Sequence, residues 1–216
     1  MKKFFLTFLF LIFVIIGGLG FFVIRSFNPE TFQRQVVSGI SDLTGREFNV
    51  LGATQVNWAP VPQIILNDVT LSNKSGSQRS VMMRANRVVV QIEWTSLLKE
   101  PLVIQKIDIE NPTLFLERDS ATHVNWDFPF LFADSKKDLS TDFMNMDVSQ
   151  TRIDSMFIHN GTIEYVNGLA KTKWNIEKIN GNLILESLQG PFTFDGTFEL
   201  LKKDMTAKLK DRKSVV

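Results

Sequence analysis

Cysteine is absent from the 216 residues, and histidine occurs only at His123 and His159. The first absence excludes disulfides, thiolate zinc sites, iron–sulfur clusters and thiol nucleophiles. The second leaves little material for a His-rich metal centre. Neither sign of charge dominates: 24 Lys and Arg stand against 23 Asp and Glu. That balance removes the basic face that phosphate-backbone binding needs, so no nucleic-acid partner is expected. Low-complexity tracts are lacking too, which argues against wholesale disorder. No G-x-S-x-G, HExxH, P-loop or paired C-x-x-C occurs. The acids of Asp108-x-Glu110 and Glu117-Arg118-Asp119 read as strand-edge or surface charges, and the histidines as solvated turn residues. The chain is therefore not expected to be an enzyme, and no cofactor or metal is expected.

What is present begins with a long apolar run. Phe4 to Ile24 carry no charge and one hydroxyl, Thr7. As a helix these residues would reach about 31 Å at 1.5 Å per residue, matching a hydrocarbon core of roughly 30 Å. Lys2 and Lys3 precede the run and predict a cytoplasmic N-terminus with an exported remainder. A cleaved signal peptide is the rival, since Gly18-Leu19-Gly20 offers small residues. Phe21-Phe22-Val23-Ile24 extend the run beyond the roughly 7–15 residues of a signal core and favour an uncleaved anchor.

An amphipathic helix follows. Asn28 can cap it, Pro29 suits its first position and Gly45 its end. Phe32, Val36, Ile40 and Leu43 form one stripe. Beyond Gly45 the period falls to two, in about ten short segments. Val88, Val90, Ile92 and Trp94 alternate with Val89, Gln91, Glu93 and Thr95; Phe192, Phe194, Phe198 and Leu200 alternate with polar residues. Parity switches between Leu66 and Val69, predicting a bulge or break near Asn67-Asp68, and switches again between Ile104 and Ile107. Val124-Trp126 reads as a further short strand, and Asn160-Gly161 and Asn180-Gly181 as hairpin turns. A repeat with an offset of 49 residues relates Ile104-x-x-Ile107-x-Ile109-x-Asn111-Pro112-Thr113-Leu114 to Ile153-x-x-Met156-x-Ile158-x-Asn160-Gly161-Thr162-Ile163. It suggests a repeated hairpin unit.

One helix cannot cover ten strands. The remaining apolar face has three possible partners: itself in a sandwich or barrel, another chain, or acyl chains. Pattern alone favours self-closure, because large exposed apolar patches are uncommon on soluble proteins. The anchor raises the lipid alternative.

The order of motifs adds a resemblance. Leu43-Thr44-Gly45-Arg46-Glu47-Phe48, Trp58-Ala59-Pro60, Leu66-Asn67-Asp68-Val69-Thr70-Leu71-Ser72-Asn73, Ile109-Glu110-Asn111-Pro112-Thr113-Leu114, Leu116-Glu117-Arg118-Asp119 and Val124-Asn125-Trp126-Asp127-Phe128 together resemble the N-terminal part of the AsmA family of bacterial envelope proteins. The resemblance covers roughly residues 1 to 130 closely and extends more loosely to about 200. It implies a single-pass protein of the bacterial inner membrane, held through residues 4–24, with a cytoplasmic N-terminus and a periplasmic β-rich body. It further implies phospholipid as ligand, a role in lipid transport and outer-membrane biogenesis, and no catalytic residues. The alternative is an assembly factor that contacts envelope proteins.

The fold expected is mainly β, with one transmembrane and one amphipathic helix and a curled antiparallel sheet forming a groove. Its parts are residues 1–25 (stub and anchor), 26–45 (helix), 46–133 (first sheet unit), 134–147 (flexible loop) and 148–216 (second sheet unit). Val88, Val90, Ile92, Trp94, Phe192, Phe194, Phe198 and Leu200 are the groove candidates. Family members are usually longer and this chain ends in an unfinished strand pattern, so a fragment is expected. About ten strands 4.8 Å apart cover only about 48 Å, too little to bridge a periplasm alone.

Overall fold

The computed structural model describes residues 29–97, 103–128, 142–143, 146–147, 152–185 and 192–210. The apolar run at 4–24, the Asn28 cap and most of the 134–147 loop lie outside them. Among the described residues no helix is long and apolar enough to cross a membrane.

Helix α1 (Pro29–Thr44) opens with proline and ends in a glycine cap. Gly45 takes φ 64°, and the Arg46 amide reaches back to the Ser41 carbonyl at 3.2 Å. This satisfies one of the carbonyls that a helix end leaves free. The strands are β1 (Phe48–Val50), β2 (Thr54–Asn57), β3 (Gln63–Ser72), β4 (Val81–Ile92), β5 (Val103–Glu110), β6 (Thr113–Arg118), β7 (Asp142–Phe143), β8 (Met146–Asp147), β9 (Arg152–Asn167), β10 (Thr172–Leu185), β11 (Phe192–Leu200) and β12 (Lys203–Lys210). Ten of them form one sheet in the order β1-β3-β4-β5-β9-β10-β11-β12, with β2 also on β3 and β6 joining β4 to β9; β7 and β8 pair separately. The units expected at 46–133 and 148–216 thus share a single sheet.

Four expectations need correction. The sheet is mixed, not antiparallel, because β5 and β6 both run parallel to β9. The closed barrel or sandwich that pattern alone favoured, against the groove expected in the end, is not what the sheet forms: it is an open path among the described residues. The offset of 49 supplies the reason for the first: Ile104 pairs with Ile153, Ile107 with Met156, Ile109 with Ile158 and Leu114 with Ile163. The repeat is two equivalent strands laid side by side.

Third, Asn160-Gly161 and Asn180-Gly181 are not hairpin turns. Both lie inside long strands, at places where the register slips. Asparagine's tolerance of left-handed backbone serves a bulge as well as a turn. Asp68, Asn111, Asn160 and Lys178, with φ of 49–53°, put such a kink into β3, the β5–β6 junction, β9 and β10. The Asn160 side-chain amide donates to the Asn111 side-chain carbonyl at 2.7 Å, and the Asn160 backbone amide to Asn180 Oδ1 at 2.9 Å, tying the kinks into a seam. The β11–β12 turn sits instead at Leu201-Lys202, both with positive φ. Fourth, Val124-Trp126 makes only a single bridge, Val124 to Arg118.

The core lies under α1. Val36 packs with Phe48, Ile64, Leu66, Val69, Leu71 and Ile92, and Val37, Ile40, Val50 and Val56 close around them. The Phe32 and Leu43 side chains lie outside the described residues.

Candidate functional site

Residues opposite one another in adjacent strands project to the same face, so register reveals what each face carries. One row runs Ile64, Val90, Ile107, Met156, Leu183, Phe194, Leu209, apolar through seven successive strands from β3 to β12. Below it run Ile92, Ile104 and Ile153. Beyond the kinks Leu71, Met83, Leu114, Ile163, Ile176 and Leu200 form another. The bulges explain how parity can switch in sequence while the apolar side stays on one face. The opposite face is different beyond β4: its central row begins with the buried Ile65 and Val89 and continues as Asp108, Phe157, Asn182, Asp195 and Lys208. It carries ion pairs between Arg87 and Glu110 at 2.7 Å, Lys106 and Asp108 at 2.8 Å, and Lys208 and Asp195 at 3.1 Å.

Burial along the apolar row is uneven. Ile64, under α1, is 6% exposed; Ile107, Met156, Leu183 and Phe194 are half-buried; Leu209 is 56% exposed. Trp174 and Met205, on the same face near β12, are 47% and 40% exposed. The helix covers the β1–β4 end and leaves the β5–β12 end without a helix over it among the described residues. That five-strand stretch spans about 19 Å at 4.8 Å per strand, somewhat more than the roughly 15 Å hydrocarbon depth of one leaflet.

The structure separates the candidates into two groups. Ile92 is buried in the core under α1, and Val88 and Val90 pack against that core. Their outward side is already occupied by protein. Trp94 is not on the strand: β4 stops at Ile92, and Trp94 opens a 3-10 turn (Trp94–Leu97) at the sheet's end. Phe194, Phe198 and Leu200 are half-buried on β11, and the Phe192 side chain lies outside the described residues. Phe194 has a particular seat. A Cβ on Gly181 would come 2.7 Å from its Cε2, and a Cβ on Gly196 2.7 Å from its Cζ. The ring therefore lies over a glycine pair that is itself in register, and only glycine leaves room for it.

Sequence reasoning missed a polar clasp at the other end of the sheet. Arg46, directly after the α1 cap, has a side chain only 6% exposed. Its guanidinium donates to the Asn125 carbonyl at 2.6 Å, reaches Asp127 at 3.4 Å and lies 5.1 Å from the Phe128 ring centre. Asn125 is buried and donates to the Phe115 carbonyl at 2.8 Å and to Asn73 Oδ1 at 3.0 Å, while its Oδ1 accepts from the Glu117 amide at 2.9 Å. Lys74 bonds Asp127. That hydrogen bond, with the charges of Lys74 and Arg46, holds the Asp127 carboxyl below its ordinary pKa against a partial burial that raises it. Burial lowers the Arg46 pKa, opposed by Asp127. The signal was in the motifs: Thr44-Gly45-Arg46, Ser72-Asn73 and Asn125-Trp126-Asp127-Phe128 meet here.

The histidines stand apart. His123 pairs with Asp119 at 3.0 Å and His159 with Asp108 at 3.3 Å, both on exposed surface. Among the described residues no three His, Asp or Glu side chains gather as a metal site would need.

The AsmA family profile matches residues 1–214, almost the whole chain. The chain belongs to the AsmA family. No curated protein matches it. Membership gives the clasp a context, since the residues that meet around Arg46 come from segments that carry the AsmA resemblance.

Proposed function

We propose that this AsmA-family chain is anchored in the bacterial inner membrane by residues 4–24, with its sheet in the periplasm. There its apolar face binds phospholipid acyl chains and so supports lipid transport and outer-membrane biogenesis. The observation that carries this reading is the apolar row from Ile64 to Leu209, whose burial declines with distance from α1. Removing such a face from water gains about 25 cal/mol per Å². The gain is non-directional and suits ligands of mixed chain length. The reading involves no catalytic step. A role as an assembly factor for envelope proteins would instead use the outer edge of β12, which has no pairing strand among the described residues. Lys203 and Lys208 on that strand disfavour it, because edge lysines discourage strand addition.

The test is phospholipid content of the detergent-purified full chain. Phe194→Asp places a charge on the apolar face, whereas Thr193→Asp places one on the opposite side of the same strand. Losing a contact of about 2 kcal/mol weakens affinity by roughly thirtyfold, and bound phospholipid falls accordingly where the lipid is not saturating. The proposal predicts that loss for Phe194→Asp and wild-type content for Thr193→Asp. Equal content in all three proteins contradicts it.

A further inference from the structure

The end of the sheet that holds the clasp carries the charges of Arg46, Lys74, Arg79, Asp119 and Asp127, along with the exposed side chains of Leu169, Trp174 and Leu201 at its turns. At the opposite end the β2–β3 turn, Trp58-Ala59-Pro60-Val61-Pro62, carries no charge. Trp58 and Trp94 meet beside that turn with ring centres 6.2 Å apart. Trp94 donates its indole N–H to the Pro60 carbonyl at 3.2 Å, yet stays 46% exposed. Its polar atom is satisfied, so what it offers outward is ring surface. Tryptophan with a polar handle and an apolar body is the side chain enriched where membrane meets water.

The course of α1 points the same way. Its C-terminal turn is fixed at the Ser72 end of β3, through Ser41 Oγ accepting from the Phe48 amide at 3.0 Å and the Ser72 amide donating to Glu47 at 2.8 Å. Near its start, Gln33 accepts from Thr54 at 2.8 Å, and Thr54 opens the strand that leads into Trp58. The chain therefore enters α1 from the side of the tryptophans. Ile24, the last residue of the apolar run, is five residues before Pro29, a reach of at most about 18 Å.

From this we infer that the sheet end formed by Trp58, the Ala59–Pro62 turn and Trp94 seats in the headgroup layer of a phospholipid bilayer. The inference rests on the proposed anchor and adds to it an orientation: the charged clasp end points away from the membrane, and the apolar rows start at the lipid surface.

The absence of cysteine makes the test clean, since one introduced thiol carries one label. Nitroxides are placed at Thr95→Cys, beside Trp94, and at Ala121→Cys, an exposed site at the clasp end. The full chain is reconstituted in phosphatidylethanolamine–phosphatidylglycerol vesicles, and collisions with oxygen and with a water-soluble nickel chelate are measured. The expected result is oxygen preference at Thr95→Cys, nickel preference at Ala121→Cys, and loss of the oxygen preference when Trp58→Ser and Trp94→Ser are added. Nickel preference at both sites, in a chain that resists alkaline extraction, overturns the docking while the anchor stands. Release of the chain by alkali removes anchor and docking together. Oxygen preference at both sites means that the sheet lies flat, and overturns the orientation. A Thr95→Cys label unmoved by the two serines overturns the assignment to the tryptophans.

Discussion

Arg46 shows how much one side chain can hold. It ties the end of α1 to the 125–128 segment, and its loss leaves the buried Asn125 carbonyl without its donor. An unsatisfied buried group costs about 1–3 kcal/mol, so Arg46→Met should lower thermal stability of the detergent-solubilised chain by that amount. An unchanged melting temperature would refute the assignment. Asp127 adds a pH dependence. Its folded pKa is depressed, chiefly by the Lys74 hydrogen bond. Its contribution is therefore complete above the unfolded carboxylate value of about 3.9 and is lost as acid protonates it below that value. Trp126, packed on Tyr165 with ring centres 6.1 Å apart, reports the clasp by fluorescence once Trp58, Trp94 and Trp174 are replaced by phenylalanine. Its emission should hold steady down to about pH 4 and change below, and Asp127→Asn should remove the dependence. None of this was visible from spacing: Arg46 and Asn125 are 79 positions apart, and only their presence in the resembling motifs marked them.

At the scale of elements, period-two patterning located the strands but not the way they join. Ile153–Ile158 and Thr162–Val166 read as two strands because the parity switch and the Asn-Gly pair between them resemble a turn; the backbone continues through both as β9. Local sequence cannot distinguish these outcomes, since both need left-handed backbone at the asparagine and the neighbouring strands decide. The parity switch at Asn67-Asp68 predicts a bulge or break, and the backbone kinks there, Asp68 having φ 51° inside β3 while β3 and β4 stay in register across it. The seam gives its own prediction. Asn160→Val forces a β-branched residue into φ 53° and breaks the bond to Asn111. It should cost about 1–3 kcal/mol, while Asn160→Gly should cost less. If valine and glycine unfold the protein at the same temperature, the backbone explanation is wrong.

For the whole molecule, the question posed by the sequence was what covers an apolar face larger than one helix. Parity picked out residues of the face but not which of them α1 hides, because a helix's footprint is a tertiary fact. Val88, Val90 and Ile92 satisfy the same pattern as Phe194 and Phe198, yet pack at the helix-covered core. The central claim is that the remainder of this face is a lipid surface. It is tested most directly by a photo-crosslinking amino acid placed, one site at a time, at Ile107, Met156, Leu183 and Phe194, and at their outer-face neighbours Asp108, Phe157, Asn182 and Asp195. Mass spectrometry of the membrane-extracted protein then counts phospholipid adducts. The account predicts adducts from all four residues of the apolar row and few from the outer four. Adducts equally frequent on both faces, or absent from the apolar row, would contradict it.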